Sequence, residues 1–274
     1  MIQSPRLVKK NKQIKMRRLF VWPAVVIIVC LVIVELSRMQ SVSITRVDIS
    51  GNSVIKAPDV SDLVERDLSG NFLKIFPRKN IFIYPRKQIE KDILETFPRV
   101  DSVSVSLGDN RALVVDLTLR KPVSLWCASA SSTLPDILSE SCYFFDKSGF
   151  IFAPAPNFEG PVFVKYYGIL SGDPIKQVFL GGETVLKLGS FLDGLNNSLK
   201  LTATEIYIKD DYKEYDVFLS NGIGLYISGD IPFEDSLNNL SLFLNSSSTK
   251  QMGIGKFNYI DLRYGNKIYY KLKS

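Results

Sequence analysis

Residues 44–49, Ile-Thr-Arg-Val-Asp-Ile, alternate apolar and polar, which predicts a strand with Val47 and Ile49 on one face. After Gly51-Asn52 the period lengthens. Val60, Leu63, Val64 and Leu68 recur at helical spacing and Pro58 suits a first turn, so 58–68 reads as an amphipathic helix. Residues 69–84 show no period; Ser69-Gly70-Asn71 is a turn, and Phe72, Ile75, Ile81 and Ile83 are apolar anchors. A second helix is expected from Pro85 to Pro98, with Ile89, Ile93 and Phe97 inward. Two alternating runs follow. In 100–107, Val103, Val105 and Leu107 alternate with serines; in 112–120, Leu113, Val115, Leu117 and Leu119 form one face. Gly108-Asp109-Asn110 between them fits a three-residue hairpin loop. The order is strand, helix, helix, strand, strand, an α+β unit whose two helices can cover one apolar sheet face.

The second half is richer in strands. Cys142 to Phe152 reads as two short strands around the turn Asp146-Lys147-Ser148-Gly149. Residues 153–182, rich in Pro and Gly, read as loops around one strand at 162–166. A helix is expected over 183–197, with Val185, Leu188, Leu192 and Leu195 inward. Strands at 203–208, 214–220 and 223–228 follow, joined by turns at Asp210-Asp211 and Asn221-Gly222. A second helix, 232–244, carries Phe233, Leu237, Leu240 and Leu244 on one face; Asn245 to Thr249 reads as loop. The last expected strands hold Tyr259 to Tyr264 and Lys267 to Leu272.

The longest apolar run, Leu19 to Leu36, precedes both blocks and has no charged residue from Leu19 to Val34. Eighteen helical residues span roughly 27 Å, which predicts a transmembrane helix over 19–36. Charge changes the picture further. Seven of the 34 basic residues lie in 1–18 with no acid among them, leaving 27 basic against 28 acidic residues in the remaining chain. The net charge of +6 is thus a property of the tail, and this argues against nucleic acid as a partner. The positive-inside rule makes 1–18 a cytoplasmic tail and the rest exported, a single-pass protein of the cytoplasmic membrane whose tail meets the lipid bilayer. The nearest small-x-small site, Ser41-Val42-Ser43, lies beyond Arg38, so an uncleaved anchor is expected rather than a signal peptide.

Candidate chemistry is sparse. The chain of 274 residues has no histidine, which removes Ser-His-Asp and Cys-His catalysis. No metal or cofactor set is apparent. Gly222-Ile223-Gly224 and Gly253-Ile254-Gly255 lack the third glycine and lysine of nucleotide loops and read as turns. The charged run Lys209 to Glu214 reads as a solvated hairpin rather than a hydrolytic carboxylate pair. Cys127 and Cys142 flank a serine-rich loop and form either a disulfide or two buried thiols; Cys30 lies in the apolar run. Asp261 and Arg263, two apart on a strand, share a face. The expectation is an internal ion pair fixing the last hairpin, with a partner-facing pair as the alternative. Lys267 to Leu272 has the lysines of a guarded edge strand, open to a partner strand or else fully covered.

Several motifs stand in an informative order. Phe97-Pro98-Arg99-Val100, the hairpin, and Leu119-Arg120-Lys121-Pro122-Val123-Ser124-Leu125-Trp126 resemble the pattern that brackets the hairpin of a POTRA domain in the FtsQ/DivIB family, with Leu119 in place of the usual glutamate. Cys142 to Phe152, with Asp146 and Gly149, resembles the start of that family's second domain. Tyr259-Ile260-Asp261-Leu262-Arg263-Tyr264 resembles the strand that ends its core. The resemblance implies a POTRA domain at 43–121 and a β-rich second domain with two packing helices at 122–274. It further implies a non-enzymatic bacterial division protein of the septum. Such a protein would link cytoplasmic and extracytoplasmic parts of the divisome and recruit FtsB/DivIC- and FtsL-like partners beside other single-span proteins. By the same resemblance the partner adds a strand at Ile268, Tyr269, Tyr270, Lys271 and Leu272. A POTRA-bearing chaperone of export and an anchored cell-wall enzyme are the competing readings.

Overall fold

The computed structural model describes residues 5–51, 54–128, 141–209 and 213–273, with side chains from Val21 onward. It divides into two units, Met1–Leu119 and Arg120–Ser274. The division falls two residues before the boundary expected from the sequence.

The first unit begins with α1 (Pro5–Ser37). Here the structure corrects the sequence reading. Among the described residues, no helix is long and apolar enough to cross a membrane. Leu19 and Phe20 lie outside the described side chains, and Glu35 ends the uncharged stretch on the other side. The transmembrane helix at 19–36, the single-pass membrane location, the bilayer contact and the cytoplasmic and exported sides deduced from them therefore have no spanning helix behind them. The side chains of the basic tail, 1–18, are likewise outside the described residues.

Beyond α1 the unit follows the hydrophobic periods closely. β1 (Arg46–Ser50) leads to α2 (Ala57–Leu68), which buries Val60, Leu63, Val64 and Leu68. Pro58 sits in its first turn, where no intrahelical N–H bond is lost. β2 (Asn71–Phe72) and β3 (Phe76–Pro77) form a small hairpin. α3 (Arg86–Thr96) buries Ile89 and Ile93. β4 (Val100–Leu107) and β5 (Ala112–Leu119) pair antiparallel, and β1 adds parallel to β5, giving the order β1-β5-β4. The apolar face of this sheet meets both helices in one core that includes Val105, Leu113 and Val115.

The second unit is built on a sheet of nine strands in the order β14-β13-β12-β11-β10-β9-β6-β7-β8. In chain order these are β6 (Ser124–Cys127), β7 (Cys142–Phe145), β8 (Ile151–Pro154), β9 (Lys165–Tyr167), β10 (Ala203–Ile208), β11 (Glu214–Leu219), β12 (Gly224–Ser228), β13 (Phe257–Tyr264) and β14 (Lys267–Leu272). Among the described residues, three α-helices accompany them: α4 (Gly182–Leu199), α5 (Phe233–Asn245) and α6 (Ser247–Met252). Val185, Leu188, Phe191 and Leu195 of α4 and Phe233 and Leu240 of α5 share a core with Tyr215, Val217, Leu225, Ile227, Ile260 and Leu262 of the strands. The fold is thus α+β, as the periods imply, and its dominant feature is the large sheet.

Gly51 closes β1 at φ +76°, and a Cβ there would lie 1.9 Å from the carbonyl oxygen of Leu117 in β5. Gly51→Ala is expected to cost at least about 1–3 kcal/mol, the range of a strained backbone site. Amide exchange should show faster opening of β1 and β5 with unchanged protection in β10–β12. Equal loosening of both sets would show that the two units unfold together.

Candidate partner-binding edge

The two ends of the nine-stranded sheet differ. At the β8 end, residues 176–178 run along the outer side of the strand's start. Ile151 N–H donates to Gln177 O at 2.8 Å, Lys176 N–H donates to Ile151 O at 2.9 Å, and Phe150 bridges Val178. Ile151, Phe152 and Ala153 are buried. At the other end, among the described residues, no strand lies beyond β14. Ile268 is half-buried, while Tyr269, Tyr270, Lys271 and Leu272 are exposed; Tyr269 shows 54% of its surface and Tyr270 45%.

The hairpin that carries this edge is fixed from several sides. β13 runs parallel to β12 and antiparallel to β14, with Asp261 opposite Tyr269, Ile260 opposite Tyr270 and Tyr259 opposite Lys271. Phe257, Ile260 and Leu262 enter the core, which leaves Tyr259, Asp261 and Arg263 on the other face. Tyr270 is braced from the helix side by Phe243 of α5, at 5.4 Å between ring centres, and by Phe257, at 5.2 Å. Asn239 of α5 donates to Gly265 O at 2.9 Å and supports the turn.

Asp261 and Arg263 form an internal pair. Arg263 Nε donates to Asp261 Oδ1 at 2.9 Å and Nη2 to Oδ2 at 2.7 Å, a two-pronged bond; Nη1 reaches Glu214 Oε2 of β11 at 2.6 Å. Glu214 starts β11, so the guanidinium bridges across β12, lying over Tyr226 at 5.5 Å. The hydrogen bonds it donates to Asp261 and then to Glu214 outweigh burial and hold the guanidinium charged well above its usual range. Asp261 is buried, and removing Arg263 would leave it without its ion-pair partner. Tyr264 is exposed and touches Tyr269 edge-on at 5.2 Å.

The other singled-out residues build the far half of the sheet. Asp146 is buried and clamps its turn: Ser148 N–H and Oγ donate to Oδ1 at 2.8 and 2.5 Å, Phe150 N–H at 3.2 Å, and Arg120 Nη1 to Oδ2 at 2.5 Å. Burial alone would raise the Asp146 carboxyl; the bonds from Ser148 and Arg120 prevail and hold it below the usual range. Gly149, at φ +77°, leaves no room for a side chain, since a Cβ would fall 1.8 Å from Leu180 O. Trp126 is buried between Tyr143 and Phe179, and its indole N–H donates to Gly168 O at 3.1 Å. Pro122 is exposed just ahead of β6. Cys127 and Cys142, directly opposite in the β6–β7 ladder, are joined by a disulfide. The loop it closes, 129–140, and residues 210–212 of the charged hairpin lie outside the described residues. Lys209, at the edge of that hairpin, pairs with Asp216 at 2.6 Å.

One polar cluster has no counterpart in the sequence reading. Asp67 of α2 faces Asp92 of α3, and Asp67 Oδ2 is buried without a hydrogen-bond donor. Gln88 Nε2 donates to both Asp92 oxygens, at 2.7 and 2.8 Å. Burial first, and the Asp92 charge second, raise the Asp67 carboxyl above its ordinary 3.8, against the pull of Arg66 and Arg78. A proton on Asp67 supplies the missing donor toward Asp92. The two residues lie 25 positions apart on separate helices, so no spacing rule reveals them.

No protein family and no curated protein matches this chain.

A raised carboxyl stabilises the fold only while protonated. Its contribution is complete below the unfolded value near 3.8 and is lost as pH rises through the folded value. Asp67→Asn keeps a donor and cannot ionise, so at pH 7 it should stabilise the first unit by a few tenths to about 1 kcal/mol after solvent screening. Amide exchange of α2 and α3 should show this gain shrinking toward pH 4; a gain independent of pH would refute the shared proton. For the hairpin, Arg263→Ala should destabilise the second unit by about 1–3 kcal/mol, since it strands a buried carboxylate. Denaturant titration followed by Trp126 fluorescence in a Trp22→Phe background measures it. Arg263→Lys, which keeps the charge without the fork, should recover only part of the loss.

Proposed function

We propose that this chain is a non-enzymatic scaffold that accepts a partner strand on β14, and that its partners are small coiled-coil division proteins of the FtsB/DivIC and FtsL type. The observation that carries the reading is the asymmetry of the sheet: β8 is bonded on its outer side at Ile151, and β14 is held in extended form with no strand beyond it among the described residues. An extended segment placed there would find a ready row of N–H and C=O groups, with Tyr269, Tyr270 and Leu272 to touch. The identity of the partners rests on the resemblance of the motifs to the FtsQ/DivIB family. The order of elements in the first unit agrees with the POTRA pattern that the resemblance implies. A free edge serves equally well in an assembly chaperone that holds extended segments of many sequences, so the range of partners separates the two readings.

Alternate N–H groups of an edge strand point inward to its neighbour and outward to solvent. Tyr269→Pro and Tyr270→Pro, made separately, therefore remove one of each kind. The variant that loses an outward N–H should fold normally, by Trp126 fluorescence, and lose co-purification of FtsB/DivIC- and FtsL-type proteins by at least tenfold, on the order of one to two backbone hydrogen bonds plus local misfit. Deleting 267–274 should give the same loss with the first unit intact. Undiminished capture by both variants and by the deletion would end the proposal. Recovery of many unrelated extended chains in place of a few coiled-coil proteins would favour the chaperone.

A further inference from the structure

Charge is distributed unevenly over the sheet face opposite the helices. Toward its middle the cations are neutralised in place: Lys209 pairs with Asp216 at 2.6 Å, and Arg263 with Asp261 and Glu214 at 2.7 and 2.6 Å. At the free edge they are not. Lys267, Lys271 and Lys273 alternate along β14 and its extension, where Lys273 N–H still donates to Lys256 O at 2.8 Å. Together with Lys256 they are exposed, and none forms an ion pair among the described residues. No acidic residue lies on β14. The intervening positions, Ile268, Tyr270 and Leu272, turn to the helix side, where Ile268 packs on the core and Tyr270 on Phe243. The edge therefore offers a cationic row on one face and an apolar row on the other.

Resting on the strand-addition reading, we infer that β14 selects an extended segment of another protein whose residues alternate between acidic and apolar. Cross-strand neighbours on one face lie about 5 Å apart, so carboxylates opposite Lys267, Lys271 and Lys273 complete three ion pairs. Apolar residues between them meet Tyr270 and Leu272. A second copy of this chain is a poor occupant, because an antiparallel β14–β14 pair that keeps its faces sets lysine against lysine.

The probe is a capped heptapeptide, Glu-Val-Glu-Val-Thr-Val-Glu, titrated into the full chain at low salt with fluorescence anisotropy as readout. Two forms N-methylated on alternate backbone nitrogens, and one with lysine for each glutamate, complete the set. The acidic peptide should bind, one N-methylated form should fail, and the lysine form should bind at least tenfold more weakly. Lys267→Glu/Lys271→Glu/Lys273→Glu, with its Trp126 unfolding curve unchanged, should lose acidic-peptide affinity on the order of tenfold and gain for the lysine form, an effect that fades with salt. Equal binding of acidic and lysine forms, with N-methylation still decisive, overturns the charge inference and leaves strand addition standing. Acidic binding indifferent to both N-methylated forms overturns strand addition. Wild-type protein that sediments as a dimer overturns the choice of a foreign partner.

Discussion

Every backbone N–H and C=O at a sheet edge needs a partner or water, and an open sheet has two edges. This constraint shapes the second unit more than any single contact. At β8 the chain meets it internally, by returning residues 176–178 to the strand, where Gly149 allows Leu180 close enough for the turn to shut. At β14 it is met only on the inner side. An edge strand left so is stable only if the remaining contacts hold it extended, and these are the β13 ladder, the Tyr270 ring against Phe243 and Phe257, and the turn held by Asn239.

Two kinds of interaction share that task. Burial of Phe257, Ile260 and Leu262 contributes about 1.5–3 kcal/mol each and fixes β13 in the sheet. The Arg263 cluster is partly exposed and contributes less, but it is directional. It ties the open face of β13 to the start of β11, two strands away, next to a register shift between Asp261 and Tyr264. Apolar packing alone would tolerate a slide of the hairpin at such a bulge; a two-pronged ion pair does not. The core thus decides whether the hairpin folds, and the ion cluster decides in which register β14 is presented.

Much of this was legible before the structure. In the first unit, the switch between periods of two and 3.6 places β1, α2, α3, β4 and β5 within a few residues of their observed bounds. The failures have local causes. The β2–β3 hairpin turns through Leu73 and Lys74 at positive φ, with neither Gly nor Asn to signal it. β9 lies in the middle of the sheet with Tyr166 buried toward one core and Tyr167 toward another, so its run has no alternation to read. α6 starts at a serine cap, where the Ser246 side chain accepts from Thr249 N–H, inside a serine-rich stretch that composition reads as loop. The candidate edge was legible as a lysine-flanked strand. Its supports Glu214, Asn239 and Phe243 come from distant elements and follow from the strand order, which local periodicity does not encode. The apolar run at 19–36 shows the opposite error: a strong local signal, interrupted by Glu35, to which no helix long and apolar enough to cross a membrane corresponds among the described residues.

Strand addition by itself discriminates poorly, because backbone hydrogen bonds are the same for every sequence. An edge without side-chain demands would pair with any extended chain, itself included. Lysines on one face change this in two ways at once. They oppose pairing with another cationic edge and with a second β14, and they reward a strand that brings carboxylates at alternate positions. The neutralised middle of the sheet face matters here as much as the lysines do. Because Arg263 and Lys209 already have their carboxylates, an incoming acidic strand gains nothing by lying across the sheet and everything by lying along its edge. Specificity of place and specificity of partner then arise from the same uneven distribution of charge.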